Sequence, residues 1–472
     1  MLSIYNQIKN RWRIRCGYGE VLQIAFPLIL STGAWSVQHF IDRMFLTWYS
    51  QEAIAASMPA GMVNWTLTSL LVGTAAYVNT FVAQYYGAKQ YDRIGPAVWQ
   101  GLYLALFSAP IILIFYPLAP ILFDLIGHET IVKDLEVDYF QILLFGAPFV
   151  VSANAISGFF SGRGKTWIIM WINIVGMFIN IVLDYLLIFG NFGFPEMGVR
   201  GAGWATVAAT VITALLFFAG MSRPAMNQEF ATLHGWRFQM DLFRRLMRFG
   251  LPNGWQFLLE MLAFTIFIIL VGKIGIRELA ASNIAFNINM LAFLPMYGLS
   301  LAVSTLVGQR LGENSPQMAV ASTWSAFHLS FTYFGILAIG YFFFPGLFLW
   351  PFAIQADPNH FQKIYQVAVI LLRFVAVYSL FDAANMIFSG ALKGAGDTRF
   401  VAIASIGLSW LLMLLPSLIG LRYFNIGINL LWFFVTLYVA ALGVIFYFRF
   451  RKGIWQSMRV IETIQNATEK IK

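Results

Sequence analysis

Long runs of apolar residues separated by short polar stretches are the dominant pattern along this chain. Most runs reach about 20 residues, which is the length that a helix needs to cross the hydrocarbon core of a bilayer. The run GLYLALFSAPIILIFYPLAPILF, residues 101–123, is continuously apolar. It lacks the alternation of apolar and polar residues that is typical of a membrane β-barrel strand. The pattern therefore predicts an all-α polytopic membrane protein.

Twelve spans are predicted, and they fall into two halves. The spans lie at 21–46, 54–84, 98–123, 138–160, 168–190, 201–221, 249–272, 279–308, 320–349, 364–390, 401–421 and 428–449. The least apolar internal segment, 223–248, predicts a linker between the halves. We therefore expect two six-helix bundles, 21–222 and 249–450, with tails at 1–20 and 451–472.

The two halves repeat each other. When the chain is shifted by 225 residues, 55–87 lie over 280–312 with eleven identities. The segments SGFFSGRGKT (157–166) and SGALKGAGDT (389–398) form a second pair, and each predicts a helix closed by glycine and followed by a tight basic loop. Since each half has an even number of spans, the halves are predicted to be pseudo-symmetric parallel repeats. This plan is common in transporters, and a duplicated channel or membrane enzyme is the alternative.

Composition agrees with a membrane protein and limits its chemistry. Of the 472 residues, 59% are hydrophobic and 11% are charged, against about 25% charged in soluble proteins. The single cysteine, Cys16, cannot form an intrachain disulfide. No Walker loop, HExxH motif or hydrolase elbow is found. We therefore expect a protein that is not an enzyme, has no cofactor and draws its energy from an ion gradient.

The net charge of +9 is interpreted as a topology signal rather than as a nucleic-acid interface. Most lysines and arginines lie in the two tails, in the linker and in loops that all fall on one side of the predicted spans. By the positive-inside rule, both termini are expected to be cytoplasmic. The basic and then apolar N-terminal segment has no obvious cleavage site, which favours a retained first span over a signal peptide.

Four acidic residues lie inside the predicted spans: Asp42, Asp184, Glu260 and Asp382. Placing a carboxylate at the centre of a membrane helix costs about 2.5–3.5 kcal/mol, so such residues usually have a function. A secluded carboxylate can hold a proton, can hold Na⁺ if other oxygens converge on it, or can pair with an organic cation. A site that accepts either a coupling cation or an organic cation, one at a time, predicts an antiporter.

Polar partners accompany three of these acids at the i, i+4 spacing, which places both groups on one helical face. The pairs are Gln38 with Asp42, Asn180 with Asp184, and Tyr378 with Asp382. His39 precedes Asp42 by three residues. Such a pair is also common in helices without a special function, and an acid in a span can simply bind a neighbouring arginine, serine or amide.

Four amides extend the set of candidate cavity-lining residues beyond Gln38 and His39. Asn64 and Asn289 occupy equivalent positions in the repeat, and Asn283 and Asn287 lie on the same predicted span as Asn289. Amides in membrane helices either join helices or line a wet cavity. Both roles stay open for these residues.

Three motifs together resemble the multidrug and toxic compound extrusion (MATE) transporters. They are VAQYYGAKQYDRIGPAVWQG after the second span, LVGQRLGEN after the eighth and SGALKGAGDTRF after the tenth. The resemblance covers about residues 20–450. It implies twelve helices in two bundles that form a V, and export of organic cations and xenobiotics in exchange for Na⁺ or H⁺. We expect a monomer in a bacterial inner (plasma) membrane, with small cationic amphipathic substrates and membrane lipids as its partners.

The resemblance also implies two cation-coupling sites, each of which is a candidate Na⁺ site. The family's C-terminal site matches Glu260, Tyr378 and Asp382, and its N-terminal site matches Asp42, Asn180, Asp184 and Thr206. Because both sets are present, the coupling ion and the bundle that couples it stay undecided. His39 and Arg43 depart from the family pattern beside Asp42. A related flippase of a lipid-linked precursor is the nearest alternative, but it would need a basic cavity.

Overall fold

Twelve helices in this computed structural model, which describes residues 11–354 and 358–462, are long and apolar enough to cross a membrane. They are numbered here as spans 1 to 12: Tyr18–Tyr49, Gln51–Gly87, Tyr91–Leu113, Thr130–Gly162, Thr166–Phe189, Val199–Met221, Met240–Gly272, Ile276–Gly312, Pro316–Phe343, Phe361–Ala395, Thr398–Tyr423 and Ile428–Arg451. Within the described residues all regular structure is helical. The predicted number of spans and the all-α class are confirmed.

Local sequence explains where several helices begin and end. Ser50 separates spans 1 and 2: its backbone is extended, and its hydroxyl oxygen accepts a hydrogen bond from the Ala53 N–H at 3.0 Å, as an N-cap does. The apolar run predicted at 98–123 is divided at Ile114, where a separate helix, Phe115–Ile126, begins. Gly127 ends that helix in the left-handed conformation.

The segment predicted as a linker is partly helical. A short helix, Pro224–Phe230, follows span 6, and span 7 begins at Met240. Proline at the start of the short helix suits this position, because the first helical N–H has no partner within the helix. The ninth span is also shorter than predicted, since a further helix, Pro345–Ala353, follows Phe343.

The two predicted glycine turns are confirmed and share one geometry. Gly164 and Gly396 have φ of +75° and +110°. The N–H of Lys165 donates to the Phe160 carbonyl, and the N–H of Asp397 donates to the Leu392 carbonyl, each at 2.9 Å. These bonds close spans 4 and 10 in the manner of a Schellman motif.

Contacts between backbones divide the chain into two compact units. Among the described residues, the first unit contains 11–29, 259–311, 315–354 and 358–459, and the second contains 30–258, 312–314 and 460–462. The beginning of span 1 thus belongs with spans 8 to 12, and the beginning of span 7 belongs with spans 2 to 6. The bundle limits given above stay predictions.

Close helix contacts within each unit follow the repeat. In the second unit, a Cβ at Gly73 of span 2 would lie 2.9 Å from the Cα of Gly254 in span 7. In the first unit, a Cβ at Gly298 of span 8 would lie 3.1 Å from the backbone nitrogen of Ile29 in span 1. Both partners are equivalent under the 225-residue shift. Small residues at helix crossings allow this close approach in membrane proteins.

Candidate functional site

Buried polar residues from spans 1 and 5 meet inside the second unit. Asp42 is 7% exposed, and Asn180 and Asp184 are 0% exposed. The two carboxylates are close enough for their charges to interact. Asn180 lies one helical turn before Asp184, as its spacing predicts. Asp42, Asn180 and Asp184 are called the N-site below.

Spans 4 and 6 complete the surroundings of the N-site. Tyr139 of span 4 interacts electrostatically with both carboxylates, and its hydroxyl makes a side-chain hydrogen bond with Thr206 of span 6. Tyr139 belongs to a buried cluster that includes Phe140, Leu143 and Leu144 of the same helix. Apolar packing therefore holds Tyr139 in place beside the acids. The structure brings Thr206 next to this group, where the resemblance implied it.

Several polar atoms of the N-site lack hydrogen-bond partners within the part of the chain that the structure describes. They are both carboxylate oxygens of Asp184, both side-chain polar atoms of Asn180 and Oδ1 of Asp42. Leaving one such group buried and unpaired costs about 1–3 kcal/mol, and more if it is charged. A proton on one carboxylate, or a cation among these oxygens, would supply the missing interactions. The N-site is therefore chemically suited to bind a cation.

The residues beside Asp42 on span 1 have different environments. His39 is half-buried, and its ring packs edge-on against Trp35 with the centroids 4.4 Å apart. Gln38 is also half-buried. The charge of Arg43 reaches Asp42, but the Arg43 side chain is exposed. Arg43 therefore does not fill the N-site.

The first unit contains a second acidic group. Tyr378 and Asp382 of span 10 are buried, and the charge of Glu260 in span 7 acts on Asp382. The Asn385 amide donates to Asp382 Oδ1 at 2.9 Å. Glu260, Tyr378 and Asp382 are called the C-site. The structure thus brings together the residues of each predicted set.

Two further polar residues of the first unit lie near the C-site. Tyr438 of span 12 interacts electrostatically with Glu260 and Asp382, and Lys393 of span 10 interacts with Glu260. The C-site acids therefore have an amide, a phenol and an ammonium group in their surroundings. This differs from the N-site, where several polar atoms have no hydrogen-bond partner among the described residues.

The predicted amides are placed in several environments. Asn64 is half-buried, and its Oδ1 has no hydrogen-bond partner among the described residues. Asn289 is half-buried, whereas Asn283 and Asn287 are exposed. The Asn287 amide donates to the Asn283 carbonyl of its own helix at 2.8 Å. Their role in a cavity stays a prediction.

Sequence reasoning missed Tyr139, Asn385, Lys393 and Tyr438. Asn385 could have been found, because it follows Asp382 by three residues and so shares its helical face. Lys393 was placed with the loop cations, but span 10 continues as a helix through Ala395. Tyr139 and Tyr438 are distant in sequence from the acids, and no spacing rule identifies them.

No group of three or more His, Cys, Asp or Glu residues is positioned to hold a metal ion in the described ranges. Binding of Na⁺ at either site would have to use amide, hydroxyl or backbone oxygens in addition to the carboxylates. The acidic residues alone therefore do not decide whether either site binds Na⁺.

Comparison with known proteins identifies relatives over nearly the whole chain. The sequence model of the MatE family matches residues 27–186 and 252–419, which together make up more than half of the chain. The probable multidrug resistance protein NorM of Thermotoga maritima is 25% identical over 457 residues, which cover 94% of each chain.

Solved structures give the same picture of the fold. A MOP superfamily transporter from Pyrococcus furiosus superposes with a TM-score of 0.81 at 20% identity, covering 93% of this chain and 97% of that one. An outward-facing multidrug resistance MATE family transporter superposes with a TM-score of 0.82 at 20% identity, covering 94% and 97%. These likenesses confirm the twelve-helix fold.

Proposed function

This chain belongs to the MatE family, and from that membership and its two buried acidic sites we propose that it is a secondary active antiporter. It exports organic cations and drugs, and it takes up Na⁺ or H⁺ in exchange. The observation that carries this proposal is the N-site, where Asp42, Asn180 and Asp184 are buried with polar atoms that lack partners among the described residues. A site of this kind is suited to bind a cation reversibly.

Exchange follows from competition for the same carboxylates. A coupling cation that binds the acids from outside favours the state that releases the drug, and its release inside resets the protein. Ligands drive such a cycle only through different affinities for its two states. One charge crossing 100 mV supplies about 2.3 kcal/mol, which is enough for roughly fifty-fold accumulation of substrate.

The proposal also includes the membrane in which the protein lies, its orientation there and its class of substrate. The excess of lysine and arginine in the tails, the linker and the loops of one side supports an inner-membrane protein with both termini cytoplasmic. The multidrug resistance named for the Thermotoga relative supports small cationic amphipathic substrates. No enzymatic step and no cofactor enters this mechanism, and a monomer is sufficient for it.

Reconstitution tests the proposal. Purified protein is placed in liposomes loaded with ethidium, and dye release is followed after a pure pH jump and after a pure sodium jump. We expect the wild type to move dye only against an opposing ion gradient, and Asp184→Asn to move none. A wild type that conducts ions without dye would be a channel. Failure to move dye under both gradients, together with transfer of lipid-linked sugars, would instead identify a flippase.

A further inference from the structure

A histidine and a buried glutamate are joined at one end of span 4. His128 Nδ1 lies 2.7 Å from Glu136 Oε1. The His128 side chain is 42% exposed, whereas the Glu136 side chain is 0% exposed. The second oxygen, Oε2, is buried and has no hydrogen-bond partner among the described residues. Neither residue has a place in the mechanism above.

Glu136 lies between this end of the helix and the N-site. Span 4 begins at Thr130, so Glu136 is about 9 Å along the helix axis from its start. Tyr139 follows Glu136 by three residues, and residues at this spacing share a face with about 5–6 Å between their Cβ atoms. Tyr139 in turn faces Asp42 and Asp184. The order from the surface inward is therefore His128, Glu136, Tyr139 and the N-site acids.

We propose that His128 and Glu136 form the outer part of a proton path that leads from the extracytoplasmic water to the N-site. This inference rests on the proposed antiport and adds the coupling ion, H⁺, and its route. An imidazole joined to a carboxyl group suits proton transfer, since both groups accept and release protons. It suits Na⁺ poorly, because hard cations prefer oxygen ligands.

Each step moves one proton. A proton from water binds Nε2 of His128, and the imidazolium gives its Nδ1 proton to Glu136 Oε1; exchange of the remaining ring proton with water then returns His128 to its starting tautomer. The carboxyl group of Glu136, now neutral, rotates so that the protonated oxygen faces inward, where Tyr139 and water bridge it to Asp184 or Asp42. Glu136 returns to the carboxylate, and the N-site gains the proton.

Among the described residues, the other charged groups near this end of span 4 pair elsewhere or are exposed, and His128 is the ionisable side chain that contacts Glu136. Lys133 Nζ donates to Asp124 at 2.8 Å, and Arg200 contacts Asp138 at 2.7 Å. Within the described ranges, the other acids of the helix ends and loops around this end of span 4 are exposed; they are Glu52, Glu129, Asp134 and Glu196. Among the described residues, no lysine or arginine is paired with Glu136.

The test uses the full-length protein in liposomes, with ethidium release driven by a pH jump. Glu136→Gln keeps the shape of the side chain but cannot exchange a proton with His128. We expect its rate to fall about 100-fold, the lower end of what positioned proton transfer contributes. Ethidium binding at equilibrium should be unchanged. Asp138→Asn, on the same helix and in an exposed ion pair, should transport like the wild type.

A second variant separates proton transfer from packing. His128→Ala removes the exposed end of the path, and added imidazole should restore its rate, which a purely structural role would not allow. Wild-type rates in both Glu136→Gln and His128→Ala would overturn the inference while leaving the antiport intact. Ethidium transport that needs sodium and ignores pH would overturn it as well. If the wild type moved no ethidium under either gradient, the proposed function itself would fail.

Discussion

Gly162 of span 4 packs directly against the carbonyl of Asn79 in span 2, so closely that a Cβ at position 162 would lie 2.8 Å from that oxygen. Gly394 of span 10 meets Ser304 of span 8 in the same way. Asn79 and Ser304 are equivalent under the 225-residue shift of the repeat. The two glycines occupy matching places in SGFFSGRGKT and SGALKGAGDT. Each unit therefore uses the same helix crossing.

Alanine at either crossing glycine is expected to destabilise the protein. The added methyl group would meet the Asn79 carbonyl and the stiff, branched Val82 side chain at Gly162, and the Ser304 backbone at Gly394. Overpacking of this kind costs about 1–3 kcal/mol. Thermal unfolding in detergent should show a lower midpoint for Gly162→Ala and for Gly394→Ala. Gly335→Ala is the matched control, because a Cβ there would meet no atom of the described residues within 4 Å. If the unfolding midpoint of Gly335→Ala fell as far as the midpoints of the two variants, the close contact would not be the cause.

The ion pair between Asp397 and Arg449 should matter far more than the one between Asp138 and Arg200. Arg449 Nε donates to Asp397 Oδ2 at 2.7 Å, and Asp397 is 7% exposed. Removing one partner of a buried pair costs about 3–5 kcal/mol, and the partial exposure of Arg449 favours the lower value. Exposed pairs contribute about 0–1 kcal/mol. Asp397→Asn should therefore lower the unfolding midpoint clearly, whereas Asp138→Asn should not. Equal shifts would contradict this ranking.

Arg163 is expected to hold the short helix Pro224–Phe230 in place. Its guanidinium lies 3.8 Å from the ring centre of Phe159 and 4.5 Å from that of Phe230, and its Nη1 donates to the Met226 sulfur at 3.3 Å.

Burial lowers the pKa of Arg163 to about 10. The folded state thus binds this proton less tightly than the unfolded state, and stability from this group rises only between about pH 10 and 12.5. At neutral pH the side chain is charged.

Arg163→Lys keeps the charge but loses the planar stacking, which is specific to arginine. Cation–π contacts contribute about 1–2 kcal/mol, so the short helix should open roughly tenfold more often. Limited digestion with a glutamate-specific protease at Glu229, an exposed residue inside this helix, measures the opening. Arg237→Lys is the control, since Arg237 is exposed. Unchanged cleavage in Arg163→Lys would show that other contacts hold the helix.

Sequence patterns were sufficient for the spans, the repeat and the glycine turns, because each depends on local composition and spacing. They also singled out Asp42, Asn180 and Asp184, since a polar residue stands out in an apolar run, and the structure buries these three side chains; their role stays a prediction. They could not identify Tyr139, because a tyrosine in a membrane helix is unremarkable until the helices around it are placed. Glu136 was missed for a related reason: the fourth span was predicted to begin at 138, so Glu136 counted as a loop residue.

The sequence pattern also could not predict how the helices divide between the two units. A repeat predicts two similar halves, but it does not say which half each helix end contacts. The beginning of span 1 lies in the first unit and the beginning of span 7 in the second. The close contacts of Gly73 with Gly254 and of Gly298 with Ile29 join these helix beginnings to their units, and hydropathy carries no signal for such contacts.

Asp382→Asn is expected to abolish ethidium efflux while leaving a folded protein in the membrane. The Asn385 amide donates to Asp382 Oδ1 at 2.9 Å, and the oxygen of the new amide can still accept that hydrogen bond. The loss would therefore come from the missing charge rather than from a broken contact. Efflux assays and size-exclusion profiles of the same preparation measure both properties. Wild-type transport by this variant would remove Asp382 from the mechanism.

Asp184→Asn should abolish transport and at the same time stabilise the fold. Both oxygens of Asp184 are buried without a hydrogen-bond partner among the described residues, and an uncharged amide costs less in that position than a carboxylate. The new amide is still a buried polar group, so the gain comes from the removed charge alone. Thermal unfolding at neutral pH, without added sodium, measures the gain, and dye efflux measures the loss. Asp382→Asn is the comparison, and its midpoint should move less because Asp382 already has a partner. A lower midpoint for Asp184→Asn would mean that the carboxylate contributes to stability, and the N-site would then be a structural element instead of a cation site.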